Sequence, residues 1–536
     1  MQPYLLSFLI FTPLAAALAA VFIPAGAVKT FRWLALAVSV LQVFVLVQLL
    51  ATYHAGGLQH VEQQPWIVLS LGSWGVFRAE YFVGVDGLSM PLVALSVFVL
   101  LIATIASWQT TRQAKGYYIL LLILNAAIIG SFVALDFLLF YLFFEFMLLP
   151  MFFLIAIWGG PRREYASIKF FLYTLLGSIL ILIVMIGLYI SVHDPSSPGG
   201  LVHTFNLLHM ADPSNIVSHA ILDPHNVWRL GPLDARQWAF LLLFLGFAIK
   251  LPMVPLHTWL PDAHVEAPTP MSVLLAALLL KIGGYGLARI AMPIFPDAAL
   301  YFSSFVAIMG VISIVYGSFN AMASKDLKRL IAYSSVAHMG FVLLGLAAVT
   351  PEGVNGAVYQ MFSHGIISAM LFLVAGVVYD RTHDRTIAHY SGLSSRMPAY
   401  TAMVLVAFFA SLGLPGFSGF IAEILVFLGA FKSASTNGLL HESLAIIATS
   451  GLVFGAAYYL WTLQRMFFGP FDLKGGIQPT QITDLTVREY IQLVPLALAA
   501  LAFGVWPQPV LDIIDPFAQQ FCEHVLTVGK SVTFKP

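Results

Sequence analysis

Six ionisable side chains, Glu145, Lys250, Lys281, His338, His364 and Glu423, sit inside stretches that are otherwise almost wholly apolar. Glu145 is the one charge between Asp136 and the end of its apolar run; Lys250 stands alone between Arg236 and Asp262, and Glu423 between Arg396 and Lys432. Carboxylates, amines and imidazoles all gain and lose protons. A row of them can carry protons if each neighbour's charge switches in turn and water bridges the gaps. Two motifs break the helices beside these charges. "KLPMVP" puts Pro252 and Pro255 directly after Lys250, and "GLPGFSGFIAE" puts Gly413, Pro415, Gly416 and Gly419 just before Glu423. Proline removes an amide donor and clashes with the preceding turn, so both helices are expected to break there. Inside a membrane such a break survives only where it is buried in protein or lines a watery cavity.

That these groups lie in lipid follows from composition. The 536 residues are 60% hydrophobic and 9% charged, with a mean hydropathy of +0.90, whereas soluble chains carry roughly 25% charged residues. Net charge is zero and no basic stripe exists, which argues against a nucleic-acid partner. The lone Cys522 rules out an internal disulfide and a paired-cysteine metal site. No Walker A or dinucleotide-binding glycine fingerprint occurs. We therefore expect no cofactor and no metal in this chain.

A ruler of about 20 apolar residues per span gives about 14 transmembrane helices, the first at 3–23, the third at 82–107, the fifth at 136–158 and the last at 490–513. The expected fold is an all-α polytopic membrane protein forming a single membrane domain over 1–536. Lys and Arg concentrate in the loops after odd-numbered helices. This charge bias puts those loops in the cytoplasm and both termini outside. Residues 262–267, with Asp262 and Glu266 and no cation, dissent from that pattern. The broken helices are the seventh and the twelfth, five apart. That spacing predicts two inverted five-helix repeats, 116–292 (helices four to eight) and 299–468 (nine to thirteen), each with one broken helix, flanked by 1–107 and 490–513. An outer loop insertion, 193–236, holds five histidines at irregular spacing and reads as an exposed loop rather than a metal site.

Charge at the bilayer centre costs about 2.5–3.5 kcal/mol per group on insertion scales, so six such groups imply a use. Competing readings remain. Glu145, Lys250, Lys281 and Glu423 could form static ion pairs that fix packing, and His338 or His364 singly could be a hydrogen-bonded interior histidine. Clamping a haem between the two histidines would leave the lysines and carboxylates unexplained. Lys169 and Arg289, near helix ends, are expected to snorkel to the interface.

The stretches "FYLFFEFMLLPMF" (140–152), "WGGPRREYASIKFFLYTLLGS" (158–178), "KLPMVPLHTWLPDAHVEAPTPMSVLLAALLLKIGGYG" (250–286), "KDLKRLIAYSSVAHMG" (325–340), "SHGIISAMLFLVAG" (363–376) and "GLPGFSGFIAE" (413–423) resemble the antiporter-like membrane subunits of proton-pumping NADH:quinone oxidoreductase, respiratory complex I. Within that superfamily the resemblance is to the subunit M branch, the counterpart of mitochondrial subunit 4. Glutamate at 423 marks that branch, where subunits L and N and the sodium/proton antiporters usually carry lysine. The absence of a long lateral helix after helix fourteen points the same way. The resemblance implies outward proton translocation in a bacterial inner membrane, with FMN, iron–sulfur clusters and quinone held by partner subunits and with subunits L and N as neighbours. It also implies residue roles: Glu145 and Lys250 as a switching ion pair, Lys281 and His338 as a central relay, His364 as an auxiliary carrier and Glu423 as the terminal group. Phe144 departs from the tryptophan usual in relatives and is expected to affect packing only. The alternative implied by the same superfamily is a subunit of a multisubunit sodium/proton antiporter or a membrane-bound hydrogenase complex.

Overall fold

A computed structural model describes residues 4–70, 76–195, 202–225 and 228–533. Among the described residues, 13 helices are long and apolar enough to cross a membrane. They include α1 (Leu5–Phe22), α2 (Val28–Thr52), α3 (Ser89–Ala106) and α4 (Ala114–Val133). The fifth span is split into α5 (Phe137–Phe146) and α6 (Leu148–Trp158), followed by α7 (Arg163–Ser191). The seventh segment consists of α8 (Ala235–Lys250) and α9 (Trp259–Glu266). It falls short of the spanning length because the prolines cut it, which accounts for 13 long helices against an expectation of about 14. Next come α10 (Thr269–Ile294), α11 (Ser303–Ala323), α12 (Leu327–Ala347) and α13 (Pro351–Thr382). The twelfth segment breaks into α14 (Pro398–Ser411) and α15 (Ser418–Thr436), and the chain continues with α16 (Glu442–Phe467), α17 (Val487–Val505) and α18 (Gln508–Thr533).

Burial sorts these helices into an inner group and a lipid-facing ring. On α7 the exposed residues Ile168, Leu172, Leu176, Ile179, Ile183, Ile186 and Ile190 recur every three or four positions and form one outward stripe. By contrast α10, α12 and α13 are buried on almost every side, and these carry Lys281, His338 and His364.

Three boundaries differ from the sequence reading. Helix three, expected at 82, starts at Ser89, because Val76–Val85 forms a strand antiparallel to Gln59–Ser70. The carboxylate of Asp86 ends that strand by accepting the amides of Leu88 and Ser89. The fifth span bends at Met147, one residue past Phe146, because Pro150 cannot donate to the carbonyl four residues earlier. The last span ends at Val505 rather than 513, and the separate helix α18 follows Pro507. In the 193–236 insertion, residues 196–201 and 226–227 lie outside the described residues. The remainder holds the short helix Leu207–Met210 and an Arg78–Asp194 ion pair at 2.9 Å. Among the described residues no three His, Cys, Asp or Glu side chains gather as a metal site.

Charges near helix ends are paired. Arg289 does not snorkel: its side chain is 9% exposed and bonds Asp86 at 2.5 Å. Lys169 reaches Asp262 at 2.8 Å, and Asp262 also faces Arg329 at 3.3 Å. Glu266 meets Arg162 at 3.6 Å. The acids of 262–267 therefore lie among the cations of the neighbouring loops, which explains why that stretch departs from the charge pattern.

On the same face, the loop after α13 is held to the start of α12 by Leu327 N–H donating to the Arg385 carbonyl and Ile387 N–H to that of Lys325. Asp384 anchors this loop, accepting the Thr386 amide at 2.7 Å and meeting the His389 ring at 2.6 Å. Burial pushes its carboxyl up, but the hydrogen bonds from His389 and Thr386 outweigh that and hold it below the usual range. The loop is thus stabilised above the unfolded carboxylate value of about 3.9 and loses that stabilisation as pH falls through the lower folded value. Thermal unfolding in detergent should show this acid-side loss in the native chain, and Asp384→Asn should flatten it.

Candidate functional site

Helix α8 begins with a capping box, Asp234 accepting the Gln237 amide while the Gln237 side chain accepts the Asp234 amide, and it ends at Lys250. Pro252 and Pro255 lie in the turns between α8 and α9. The backbone groups freed there are satisfied inside the protein. The Trp259 indole donates to the Ile249 carbonyl at 2.8 Å, and the Val254 amide donates to Ser313 Oγ at 3.0 Å. Lys250 is buried, with Nζ donating to the Phe144 carbonyl at 3.3 Å and lying 3.5 Å from the centre of the Phe144 ring. Glu145 Oε1 is buried without a hydrogen-bond partner, and among the described residues no ion pair joins Glu145 to Lys250. The implied pair is open in this arrangement. Phe144, expected to matter for packing only, holds the ammonium through both its backbone and its ring.

Helix α10 carries Lys281 between two π-helical stretches, Leu275–Leu279 and Leu287–Ala291. A π turn shifts the hydrogen-bond register and frees carbonyl groups. Lys281 Nζ donates to the Ala276 carbonyl of the first stretch at 2.5 Å and meets His364 Nδ1 at 2.7 Å. Gly283 lets this helix press against the α8 break, since a Cβ there would lie 2.6 Å from the Leu251 amide nitrogen. That contact brings the Lys281 region within one packing layer of Lys250.

His364 Nε2 is buried without a partner, and its ring centre lies 5.3 Å from that of His338. His338 Nδ1 is 3.4 Å from Glu423 Oε1 and 3.2 Å from Gln360 Nε2, while Nε2 faces Ser411 Oγ at 3.2 Å. Ser411 continues to Tyr459 at 2.7 Å, and Tyr459 donates to Ser334 at 2.9 Å. Glu423 lies in the second turn of α15, just after the break between α14 and α15 that holds Pro415 and Gly416. Its Oε2 lies where a Cβ on Gly413 would be, so glycine is required there, both for that space and for the backbone φ of +74°. Lys281, His364, His338 and Glu423 thus come together as one buried row across α10, α13, α12 and α15. Glu145 and Lys250 lie apart from it, beyond the α8 break.

Sequence reasoning missed several groups. His264 on α9 is fully buried, stacked on Phe372 at 4.5 Å, with both ring nitrogens unpartnered. Both Lys328 and Lys281 lie close enough to act on it electrostatically. Lys328, in the first turn of α12, is 1% exposed and donates to the Ala267 carbonyl at 3.1 Å. It lines a cavity of about 410 Å³ with Glu266, Asp380 and Glu489. The available signal was His264's place immediately after the proline break, in a segment read as a loop. Gln360, Ser411 and Tyr459 gave no such signal, because neutral polar residues are common on helix faces.

Residues 134–449 match the family model described as "NADH:quinone oxidoreductase/Mrp antiporter, TM", and residues 65–131 match "NADH-ubiquinone oxidoreductase chain 4, amino terminus". Among curated proteins, NADH-quinone oxidoreductase subunit M of Rhodobacter capsulatus is 43% identical over 518 residues, covering 96% of this chain and 95% of the relative. The chain belongs to the NADH-quinone oxidoreductase subunit M family. All six ionisable groups of the sequence reading fall inside the 134–449 match. A chain of respiratory complex I from Thermus thermophilus has a similar structure, with TM-score 0.80, 29% identity and coverage of 97% of this chain and 99% of that one. A chain of the Mrp complex from Dietzia, at 19% identity and TM-score 0.78 over 99% of both chains, shares the fold.

The Phe144 contact has a testable consequence. Cation–π attraction to a desolvated ammonium is worth about 2 kcal/mol, roughly thirtyfold in population. Phe144→Leu is therefore expected to release Lys250 toward Glu145 and slow NADH-driven acidification of vesicles by the assembled complex, with Phe144→Trp restoring it.

Proposed function

We propose that this chain, as a proton-translocating membrane subunit of NADH:quinone oxidoreductase, moves protons along the buried row Lys281, His364, His338 and Glu423. The carrying observation is that these four side chains from four helices are successive neighbours: 2.7 Å between Lys281 and His364, 5.3 Å between the histidine rings, and 3.4 Å from His338 to Glu423.

In this reading protons enter from the cavity at Lys328 and pass His264 to reach Lys281. Lys281 and His338 form the central relay, His364 passes protons between them, and Glu423 releases them on the opposite side. Closing of the Glu145–Lys250 pair changes the field at Lys281 and so retunes its proton affinity. The chain holds no redox centre, and FMN, iron–sulfur clusters and quinone belong to partner subunits, among them the neighbouring antiporter-like subunits L and N. The broken segments α8–α9 and α14–α15, five spans apart, support two inverted repeats at 116–292 and 299–468. The Lys/Arg-rich loops face the cytoplasm of a bacterial inner membrane and both termini face outward.

The test is to purify the tagged assembly and reconstitute it in liposomes. NADH-driven quinone reduction with proton uptake that needs no sodium is the expected result. A small assembly lacking flavin and iron–sulfur spectra that exchanges sodium for protons would overturn it.

A further inference from the structure

We propose that Gln360 is a positioning residue that decides when His338 can pass its proton to Glu423. The inference rests on the proton path described above and deepens it.

The geometry is a contest for one nitrogen. His338 Nδ1 has the Gln360 amide nitrogen at 3.2 Å and Glu423 Oε1 at 3.4 Å. A bare Nδ1 accepts from the Gln360 N–H, whereas a protonated Nδ1 donates to Glu423. It cannot do both. All three side chains are buried, so water from outside does not relieve the competition. Gln360 Oε1 has no hydrogen-bond partner, so nothing on its other side holds the amide in place once Nδ1 carries a proton and no longer accepts from it. Gln360 and His364 sit one turn apart on α13, so the side chain that competes and the side chain that delivers the proton share one helix. The other groups around the ring are accounted for. Ser411 and Tyr459 occupy the Nε2 side, Glu423 comes from α15, and Lys281 lies beyond His364.

The amide therefore acts as an ordering device. While Gln360 donates to Nδ1, His338 has no proton on the nitrogen that faces Glu423, and Glu423 cannot be filled from the row. When a proton arrives, Nδ1–H displaces the amide and points to Glu423, and the transfer follows. After transfer the bare nitrogen recaptures the Gln360 N–H, which opposes return. The balance is simple: an N–H bond on the ring breaks, an O–H bond on Glu423 forms, and no redox partner is needed.

The test uses the assembled complex in liposomes with Gln360→Met, which keeps length and apolar volume but has no donor, alongside Glu423→Gln. Two quantities are read: protons moved per NADH oxidised under an imposed proton gradient, and the infrared carboxyl and carboxylate bands of Glu423, assigned as those missing in Glu423→Gln. Gln360→Met should move fewer protons per NADH against the gradient and shift the Glu423 bands. A packing defect would lower both fluxes together and leave the ratio unchanged. If the ratio and the bands in Gln360→Met equal those of the native complex while Glu423→Gln loses pumping, the ordering role is wrong and the path stands. If Glu423→Gln itself pumps normally, the path is wrong and the ordering role falls with it. Where Gln360→Met fails to assemble, Gln360→Leu replaces it in the same comparison.

Discussion

Lys281→Met is expected to abolish proton movement through this chain while the complex still assembles. Lys281 is fully buried, and its ammonium joins the Ala276 carbonyl to His364. Methionine matches the stem but carries no proton, so the row is cut between the entry cavity and the histidines. Folding should survive, because a buried lysine replaced by an apolar chain of similar volume sheds a desolvation penalty. Two groups lose the ammonium as partner, the Ala276 carbonyl and His364 Nδ1, at a cost of about 1–3 kcal/mol each. The functional loss is much larger. Each charge moved against 100 mV requires about 2.3 kcal/mol, and no neighbouring side chain offers a substitute carrier at that position. The check is NADH-driven acidification of vesicles at equal complex content, with a fall of at least tenfold expected in the flux assigned to this subunit. Full pumping by an assembled Lys281→Met complex would refute the path.

Glu489→Ala is expected to have the largest effect on stability. Arg381 near the end of α13 grips the Glu489 carboxylate with two bonds, at 3.0 and 2.8 Å, and also donates to the Asp484 carbonyl at 2.9 Å. Both side chains are under one tenth exposed. Glu489 further closes the capping box that starts α17, accepting the Thr486 amide at 2.8 Å. Truncation leaves a buried guanidinium without its anion, which typically costs 3–5 kcal/mol, and removing the cap adds about 1 kcal/mol. Since α13 also carries Gln360 and His364, loosening it from α17 disturbs the proton row as well. Thermal unfolding of the purified complex should begin several degrees lower, or the chain should be lost from the assembly. Changing both partners, Arg381→Met with Glu489→Leu, should recover much of the loss, because no buried charge is then left alone.

Much of the fold was legible because it depends on local chemistry. Apolar runs of spanning length declare helices whatever surrounds them, and the close pairs Pro252 with Pro255 and Pro415 with Gly416 break the backbone locally. The hairpin Gln59–Ser70 with Val76–Val85 was missed because the end of its second strand, Phe82–Val85, is as apolar as the start of a spanning helix. Arg289 was misread because a cation near a helix end looks the same whether it snorkels or meets Asp86, 203 residues earlier. Phe144 looked like packing because an aromatic residue in an apolar run reveals nothing of the cation over its face.

The sequence by itself determined that this chain lives in lipid, that two of its segments break, and that six ionisable groups fall within its apolar stretches. Those properties follow from composition, from the rise per residue and from the geometry of proline and glycine, and they hold before any helix meets another. Only the tertiary structure decided that Lys281 meets His364, that His338 Nδ1 faces both Gln360 and Glu423, and that Lys250 rests on Phe144 instead of Glu145. Such contacts depend on how each helix is rotated and crossed against the next, and a few ångströms of rotation place the same residues against different neighbours.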